Sequence, residues 1–133
     1  MKLSAEDAFR QYGNRVFSAA FSVAGNPEDA DDAVQNTFLK YCACDKEFAD
    51  QEHLRAWLLR VAINEAKDQR RSFWQKHKVS LEDYMETLTF REPEDKSLFE
   101  AVMALPVKYR VVVHLFYYED YSIAQIAQIL HTR

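Results

Sequence analysis

The sequence predicts an all-helical protein made of two small domains. Glycine occurs twice and proline three times among 133 residues, which leaves little material for the hairpin turns of a β protein. Apolar residues recur every three or four positions over several long stretches, as on one face of a helix. They make up 48% of the chain, which is enough for one modest core or two small ones.

The first helix is predicted to run from about Ala5 to Ala24. Gly25 suits the left-handed conformation that ends a helix, while Asn26 and Pro27 suit the cap and the first position of a second helix. The apolar stripe of the first helix contains Phe9, Tyr12, Val16, Phe17, Ala20 and Phe21. The second helix is expected to bury Ala30, Ala33, Val34, Phe38 and Tyr41 and to leave a polar face outside.

A polar loop, DKEFADQE, follows and contains one aromatic residue, Phe48. Because no helical stripe accounts for Phe48, its ring is expected to be either an anchor or a stacking surface. A third helix follows and ends near Arg70 and Arg71, with Leu54, Trp57, Leu58, Val61 and Ala62 on its apolar face. Its other face is basic and carries Arg55, Arg60, Lys67, Arg70 and Arg71.

Residues 75–95 are predicted to form an acidic linker between a domain of residues 1–74 and a domain of residues 96–133. The second domain should contain three short helices, around 94–104, from Pro106 onward, and over 122–130. Ser122 and Gln125 fit a capping box. The last stretch, SIAQIAQILHTR, has the pattern of the first helix and turn of a helix-turn-helix. We expect a fragment of a longer protein, the alternative being a natural short form.

Charge is distributed unevenly, although the net value is only −4. Residues 51–80 carry +4, residues 1–50 carry −4 and residues 81–100 carry −5. This pattern favours one surface for nucleic acid and another for a protein partner, although solvated helix faces would give the same counts. No apolar run approaches ~18 residues and no signal-peptide core follows Met1, so a cytoplasmic protein without membrane insertion is expected.

Catalytic and metal-binding motifs are sparse. The sequence has no Gly-rich phosphate loop, no nucleophile elbow and no H-E-x-x-H, so no enzyme is expected; a small helical enzyme would require a bound metal or cofactor. Cys42 and Cys44, with His53 and His77, are candidate metal ligands, but a single Cys-x-Cys pair is a weak zinc pattern. We expect no metal and no cofactor, and a redox role of the two cysteines stays open.

Three runs in order carry a family resemblance: NPEDADDAVQNTFLKYC, EFADQEHLRAWLLRVAINEAKDQRR and SLFEAVMALPVKYRVVVHLFYYEDYSIAQIAQIL. Together they resemble the extracytoplasmic-function (ECF) group of the sigma-70 family of bacterial transcription initiation factors. The resemblance implies a sigma region 2-like domain followed by an incomplete region 4-like helix-turn-helix domain. It also implies that the chain binds core RNA polymerase and promoter DNA, melts and recognises the minus-10 element and, when complete, recognises the minus-35 element.

Further partners and site residues follow from the same resemblance. An anti-sigma factor is an expected partner, and the alternative function is a helical decoy that binds polymerase or an anti-sigma protein without initiating transcription. Polymerase contacts are expected at Asp29, Asp32, Gln35, Asn36, Phe38 and Lys40. DNA contacts are expected at Phe48, His53, Arg60, Asn64, Lys67, Arg70, Arg71 and Gln125, the last of which stands where the family usually has Glu. A polar loop with an aromatic residue above a basic helix suits an unpaired strand.

Overall fold

The computed structural model of the protein describes residues 3–76 and 93–130, with side chains over 3–69 and 97–130. Within these ranges the chain forms six helices and no strand, which confirms the all-helical prediction. The helices are α1 (Ala5–Ala24), α2 (Pro27–Ala43), α3 (Gln51–Lys76), α4 (Pro93–Met103), α5 (Val107–Tyr117) and α6 (Ile123–Leu130).

The junction between α1 and α2 has the predicted chemistry. Gly25 adopts φ 78°, and its N–H donates to the carbonyl of Phe21 at 2.9 Å. The Asn26 side chain accepts from the N–H of Asp29 at 2.9 Å, and Pro27 occupies the first turn of α2. Because an L side chain is strained at that φ, glycine is the residue that allows so short a connection.

Helices α1, α2 and α3 pack against one another and share an apolar core; we call them the α1–α3 unit. The predicted inward positions of α2 are confirmed. In α1 the prediction is partly wrong, because Phe9 is 54% exposed and only its edge contacts Phe38, with the ring centroids 5.3 Å apart. Small residues also form the buried side of α1: Ala8, Ala19 and Ala20, the last of which was predicted, are fully buried. Their size lets the helices approach closely.

Helix α3 is longer than the prediction, which ended it near Arg70. It begins at Gln51, where Asp50 accepts from the N–H of His53 at 2.8 Å, and continues to Lys76. No glycine or proline interrupts residues 51–76, and Gln, Arg and Lys are good helix formers. The buried face of α3 is Leu54, Leu58, Leu59, Ala62, Ile63 and Ala66, whereas Trp57 and Val61 are only half-buried.

Helices α4, α5 and α6, the α4–α6 unit, lie close to their predicted positions. Ser122 and Gln125 form the predicted capping box. The Ser122 hydroxyl accepts from the backbone N–H of Gln125 at 3.1 Å, and the side-chain Oε1 of Gln125 accepts from the backbone N–H of Ser122 at 2.9 Å. Ile123 is 67% exposed, so the packed face of α6 begins at Ile126. Similarly, Phe116 on α5 is 41% exposed while Leu115 is fully buried.

The two units are in contact. Helix α5 packs on α1, and α6 packs on α3 and α5, so their buried side chains belong to one continuous apolar cluster. The predicted domain boundaries stay a prediction, and most of the predicted linker, residues 77–92, lies outside the described residues. Among the helices that are described, none combines the length and apolar character needed to cross a membrane.

Candidate nucleic-acid and polymerase interfaces

Five residues of α3 lie on one side of the helix. His53, Trp57, Arg60, Asn64 and Lys67 are separated by alternating steps of four and three, which places them in a single stripe. Asn64 and Lys67 are exposed, and the other three are half-buried. We call this stripe the α3 face. It brings four of the predicted DNA-contacting residues together along about four turns of one helix.

Of the two roles left open for Phe48, an anchor or a stacking surface, the structure contradicts the stacking surface. Phe48 is 1% exposed, and its ring packs edge-on against Trp57, with the centroids 5.6 Å apart. Tyr41 lies on another side, at 6.0 Å between centroids. The loop is polar, but this one apolar side chain folds under it because burial removes a large aromatic surface from water. Phe48 is therefore an anchor that fixes the loop beside α3.

His53 is held in a defined orientation by that loop. Its Nδ1 accepts from the backbone N–H of Ala49 at 3.0 Å, and its ring packs edge-on against Phe48, with the centroids 5.1 Å apart. Because Nδ1 accepts, the proton of the neutral ring must sit on Nε2. His53 thus has a hydrogen-bond donor, Nε2–H, with a fixed direction at the N-terminal end of the α3 face.

A groove runs between the α3 face and helix α6. Its volume is about 160 Å³, and its walls are Lys46, His53, Ala56, Trp57 and Arg60 on one side and Gln128 and Ile129 on the other. The side chains of Arg70 and Arg71 lie outside the described residues, although the backbone of both belongs to α3. Gln125 is exposed on α6, where its side-chain Oε1 accepts from the backbone N–H of Ser122 in the capping box.

The predicted polymerase-binding residues of α2 separate into three groups. Asp32 and Gln35 are exposed. Asn36 and Lys40 turn toward α3: the Asn36 amide donates to Glu65 at 3.5 Å, and Lys40 forms an ion pair with the same carboxylate. Lys40 is still 61% exposed and Asn36 is half-buried, so the expected polymerase contacts of both stay predictions.

The other two predicted α2 contacts have structural roles. Phe38 is 8% exposed, so it contributes to the core and its side chain offers little to a partner. Asp29 accepts from the side-chain amide of Asn26 at 3.0 Å and stands in the first turn of α2, where a carboxylate is favoured by the helix dipole.

One exposed residue of α2 was missed by the sequence analysis. Leu39 is 66% exposed and lies one turn beyond Gln35 and two turns beyond Asp32 on the same side of the helix. We call Asp32, Gln35 and Leu39 the α2 outer face. The available signal was the phase of Leu39, which falls between the buried positions Phe38 and Tyr41 and cannot point inward with them.

The cysteines do not lie in a ligand cluster within the described parts of the chain. Cys42 is exposed and Cys44 is half-buried at the end of α2. No group of three His, Cys, Asp or Glu side chains that could hold a metal ion occurs in residues 3–69 and 97–130. His77 lies outside the described residues.

Comparison with known proteins places both units in one family. Residues 8–75 match the family model for sigma-70 region 2, and residues 95–133 match the model for sigma-70 region 4. The chain is 28% identical over 116 residues to RNA polymerase sigma factor SigV of Bacillus subtilis, which covers 85% of this chain and 69% of SigV. It is 25% identical over 152 residues to the ECF RNA polymerase sigma factor SigW of the same organism, covering 98% of this chain and 81% of SigW.

A third relative agrees. ECF RNA polymerase sigma factor SigL of Mycobacterium tuberculosis is 30% identical over 116 residues, covering 81% of this chain and 66% of SigL. The region 2 match contains α2, the loop and nearly all of α3, and the region 4 match contains α5 and α6. The chain therefore belongs to the ECF group of the sigma-70 family and is a promoter-directing transcription initiation factor.

Proposed function

We propose that the α3 face holds the melted minus-10 strand of the promoter and that the α2 outer face binds core RNA polymerase. The observation that carries the first part is the alignment of His53, Arg60, Asn64 and Lys67 along one side of α3. Guanidinium and ammonium groups suit phosphates, while the amide and the imidazole offer hydrogen bonds to base edges. A row of this kind can follow the backbone of a single strand.

The salt dependence of strand binding tests this assignment. If the strand contacts about four phosphates, the affinity of the holoenzyme for a forked minus-10 probe should fall with salt at a log-log slope near −3. Removing two cations with Arg60→Ala and Lys67→Ala should make the slope shallower by about 1.4. Replacing Arg70 and Arg71 by Ala removes a second pair of cations and tests the same prediction.

Arg10→Ala is the matched control, because Arg10 is exposed on α1 and pairs with Glu6 at 2.6 Å, away from α3. This control should keep the parent slope. A slope that stays at the parent value in the Arg60 and Lys67 double variant would show that these side chains do not meet the strand.

The α2 outer face combines an exposed leucine with two polar side chains. A small apolar patch with a polar surround is typical of a contact that excludes water at its centre. We expect Leu39→Ser to weaken the binding of core polymerase about tenfold and Asp32→Arg to weaken it by a similar factor. Neither change should cost more than about 0.5 kcal/mol of unfolding free energy, because both side chains are exposed.

Binding of core polymerase by immobilised variants is the measurement, with Leu98→Ser as control because Leu98 is 58% exposed on α4. If the parent, Leu39→Ser and Asp32→Arg bind core polymerase equally, the α2 outer face is not part of the interface. Polymerase binding without promoter-dependent transcription would instead favour the decoy.

An anti-sigma protein is a further partner in this proposal, and it rests on membership of the ECF group. The exposed aromatic side chains of Phe116, Tyr117 and Tyr118 at the end of α5 provide a surface of suitable chemistry. A tagged chain expressed in its native cytoplasm should then retain one protein in addition to the polymerase subunits, and Tyr117→Ser should lose it. Retention of polymerase subunits alone would oppose this part.

A further inference from the structure

A pocket lies where helix α1 meets helices α4 and α5. Its volume is about 250 Å³. Its lining includes six large side chains: Phe17 and Phe21 of α1, Phe99 and Met103 of α4, and His114 and Tyr118 at the end of α5. Among the described residues, the lining shares none with the α3 face or the α2 outer face. The proposed strand and polymerase contacts therefore leave this pocket unexplained.

Aromatic rings form much of the lining. The rings of Phe17 and Phe21 are stacked, with their centroids 6.2 Å apart and an angle of 25° between the planes. Phe21 is also stacked with Phe99 across the contact of α1 and α4, at 6.0 Å and 26°. On the side of α5, the His114 imidazole is stacked with the ring of Tyr118 at 5.3 Å and 21°. Rings held in this way offer a planar molecule the offset and edge contacts that aromatic pairs prefer.

His114 adds an unpaired polar atom to this apolar lining. The side chain is 8% exposed, and its Nε2 is buried without a hydrogen-bond partner among the described residues. Burial lowers the pKa of the imidazole to about 4, so the ring is neutral near pH 7. Nε2 of a neutral imidazole carries either an N–H or a lone pair, according to the tautomer. Either one is unfavourable when it is buried without a partner.

Water is a poor partner for Nε2 in this pocket. An ordered buried water usually makes about three hydrogen bonds to polar groups. Ser22 also lines the pocket, but its hydroxyl donates to the carbonyl of Ala19 at 2.6 Å, and its carbonyl accepts from Nε of Arg110 at 2.8 Å. A molecule with one polar group and an apolar body matches such a lining better than water does.

The size and charge of the pocket narrow the class of ligand. An apolar cavity of about 150 Å³ is large enough for benzene, so the larger volume here has room for a substituted ring or two fused rings. The described part of the lining contains no lysine, arginine, aspartate or glutamate, so a charged molecule would lack a counterion. A hydroxyl group both donates and accepts, and it therefore pairs with either tautomer of His114.

We propose that this pocket binds a small, uncharged aromatic molecule that carries one hydroxyl group. The hydroxyl pairs with Nε2 of His114, and the ring packs among the aromatic side chains of α1 and α4. Because the pocket joins α1 to α4 and α5, an occupied pocket stabilises the folded chain as the ligand concentration rises. The inference is independent of the proposed strand and polymerase contacts.

A titration of the whole chain with p-cresol, followed by NMR, tests whether the site exists. We expect saturable shifts of the His114 ring signals and contacts between the p-cresol ring protons and the Met103 methyl group. The anion p-toluate, which has a similar shape but carries a charge, should not bind. The absence of saturable binding of p-cresol, or binding without contacts to His114 and Met103, would overturn the proposal.

The role of Nε2 is tested by comparing p-cresol with toluene, which has the same ring and methyl group but no hydroxyl. In His114→Leu the ratio of the two affinities should fall about tenfold in favour of toluene, because the hydroxyl is then buried without its partner. Tyr109→Leu is the control, since it removes an exposed polar aromatic side chain from the same helix and should keep the parent ratio. A ratio that is equal in the parent and in His114→Leu would contradict the assigned hydrogen bond and the proposal with it.

Filling the pocket tests its position. Val102 of α4 is half-buried and lines the pocket, so Val102→Phe should weaken p-cresol binding more than tenfold. Leu98→Phe adds the same ring at an exposed position of α4 and should leave the affinity unchanged. If circular dichroism shows that Val102→Phe does not fold, Ser18→Trp replaces it, because Ser18 lines the pocket from an exposed position. Equal affinities for the filled variant and Leu98→Phe would place the bound p-cresol elsewhere and overturn the proposal.

Discussion

The two units differ in where their buried surface comes from. In the α1–α3 unit, three helices cover one another, and residues such as Val16, Leu58 and Ala62 are completely buried. In the α4–α6 unit the helices are short, and α5 contacts α1 more extensively than it contacts α4. Two of its buried polar residues, Arg110 and Glu119, bind partners in α1 and α3. The first unit supplies its own core, and the second completes its core by docking.

The largest expected effect is a change in the core of the first unit. Leu58→Ala removes a fully buried side chain from α3 and should lower the unfolding free energy by about 3 kcal/mol. Because the second unit docks on the first, both should unfold together at lower urea concentration. The control is Leu98→Ala, since Leu98 is 58% exposed on α4 and should cost under about 0.5 kcal/mol. Equal midpoints for the two variants would contradict this packing.

Arg110→Ala should separate the units instead of unfolding both. It removes three hydrogen bonds to carbonyl oxygens, each worth about 1 kcal/mol, so we expect a local loss of about 2 to 3 kcal/mol. Amide exchange should become faster over 107–130 and stay near the parent rate over 5–66. Lys108→Ala, an exposed change on the same helix, is the control. Uniform acceleration over both ranges would show that the units are not separable.

Acidic pH should also act on the second unit, through His114. The side chain is 8% exposed, and burial lowers its pKa from 6.5 to about 4. Its Nε2 is buried without a hydrogen-bond partner among the described residues. Below pH 6.5 the imidazole therefore becomes protonated in the unfolded chain but stays neutral in the folded chain. The contribution of His114 to stability is complete above pH 6.5 and is lost as pH falls toward 4.

The expected loss between pH 6.5 and pH 5 is about 2 kcal/mol. Urea titrations at pH 7, 6 and 5 measure it, and His114→Phe should remove most of the dependence. A His114→Phe protein that keeps the parent slope would assign the effect to other groups.

Local structure was largely predictable from the sequence, and long-range packing was not. The Gly25, Asn26 and Pro27 junction and the Ser122 capping box are set by neighbours within four residues, so their chemistry is visible in the sequence. The stripe from His53 to Lys67 follows from helical spacing once the helix is known. Such features need no knowledge of the tertiary fold.

Other features depend on residues far away in the chain. Phe48 is buried because Tyr41 and Trp57 surround it, which no local period in the loop indicates. The bond from Arg110 to Ser22 and the ion pair between Glu119 and Arg15 join residues about a hundred positions apart. A basic residue in an amphipathic helix normally faces water, so the sequence alone favours an exposed Arg110.

The most direct test of the docking of the α4–α6 unit on the α1–α3 unit uses Trp57, which lines the groove beside Gln128 and Ile129 of α6. The chain has two tryptophans, so Trp74→Phe leaves Trp57 as the single fluorophore. Quenching of Trp57 by acrylamide should be weak in this background and should rise severalfold in Glu119→Lys, which breaks the ion pairs with Arg15 and Arg55. It should stay weak in Glu100→Lys, which makes the same change of charge at an exposed position of α4. Equal quenching in all three proteins would contradict the docking of α6 beside the α3 face.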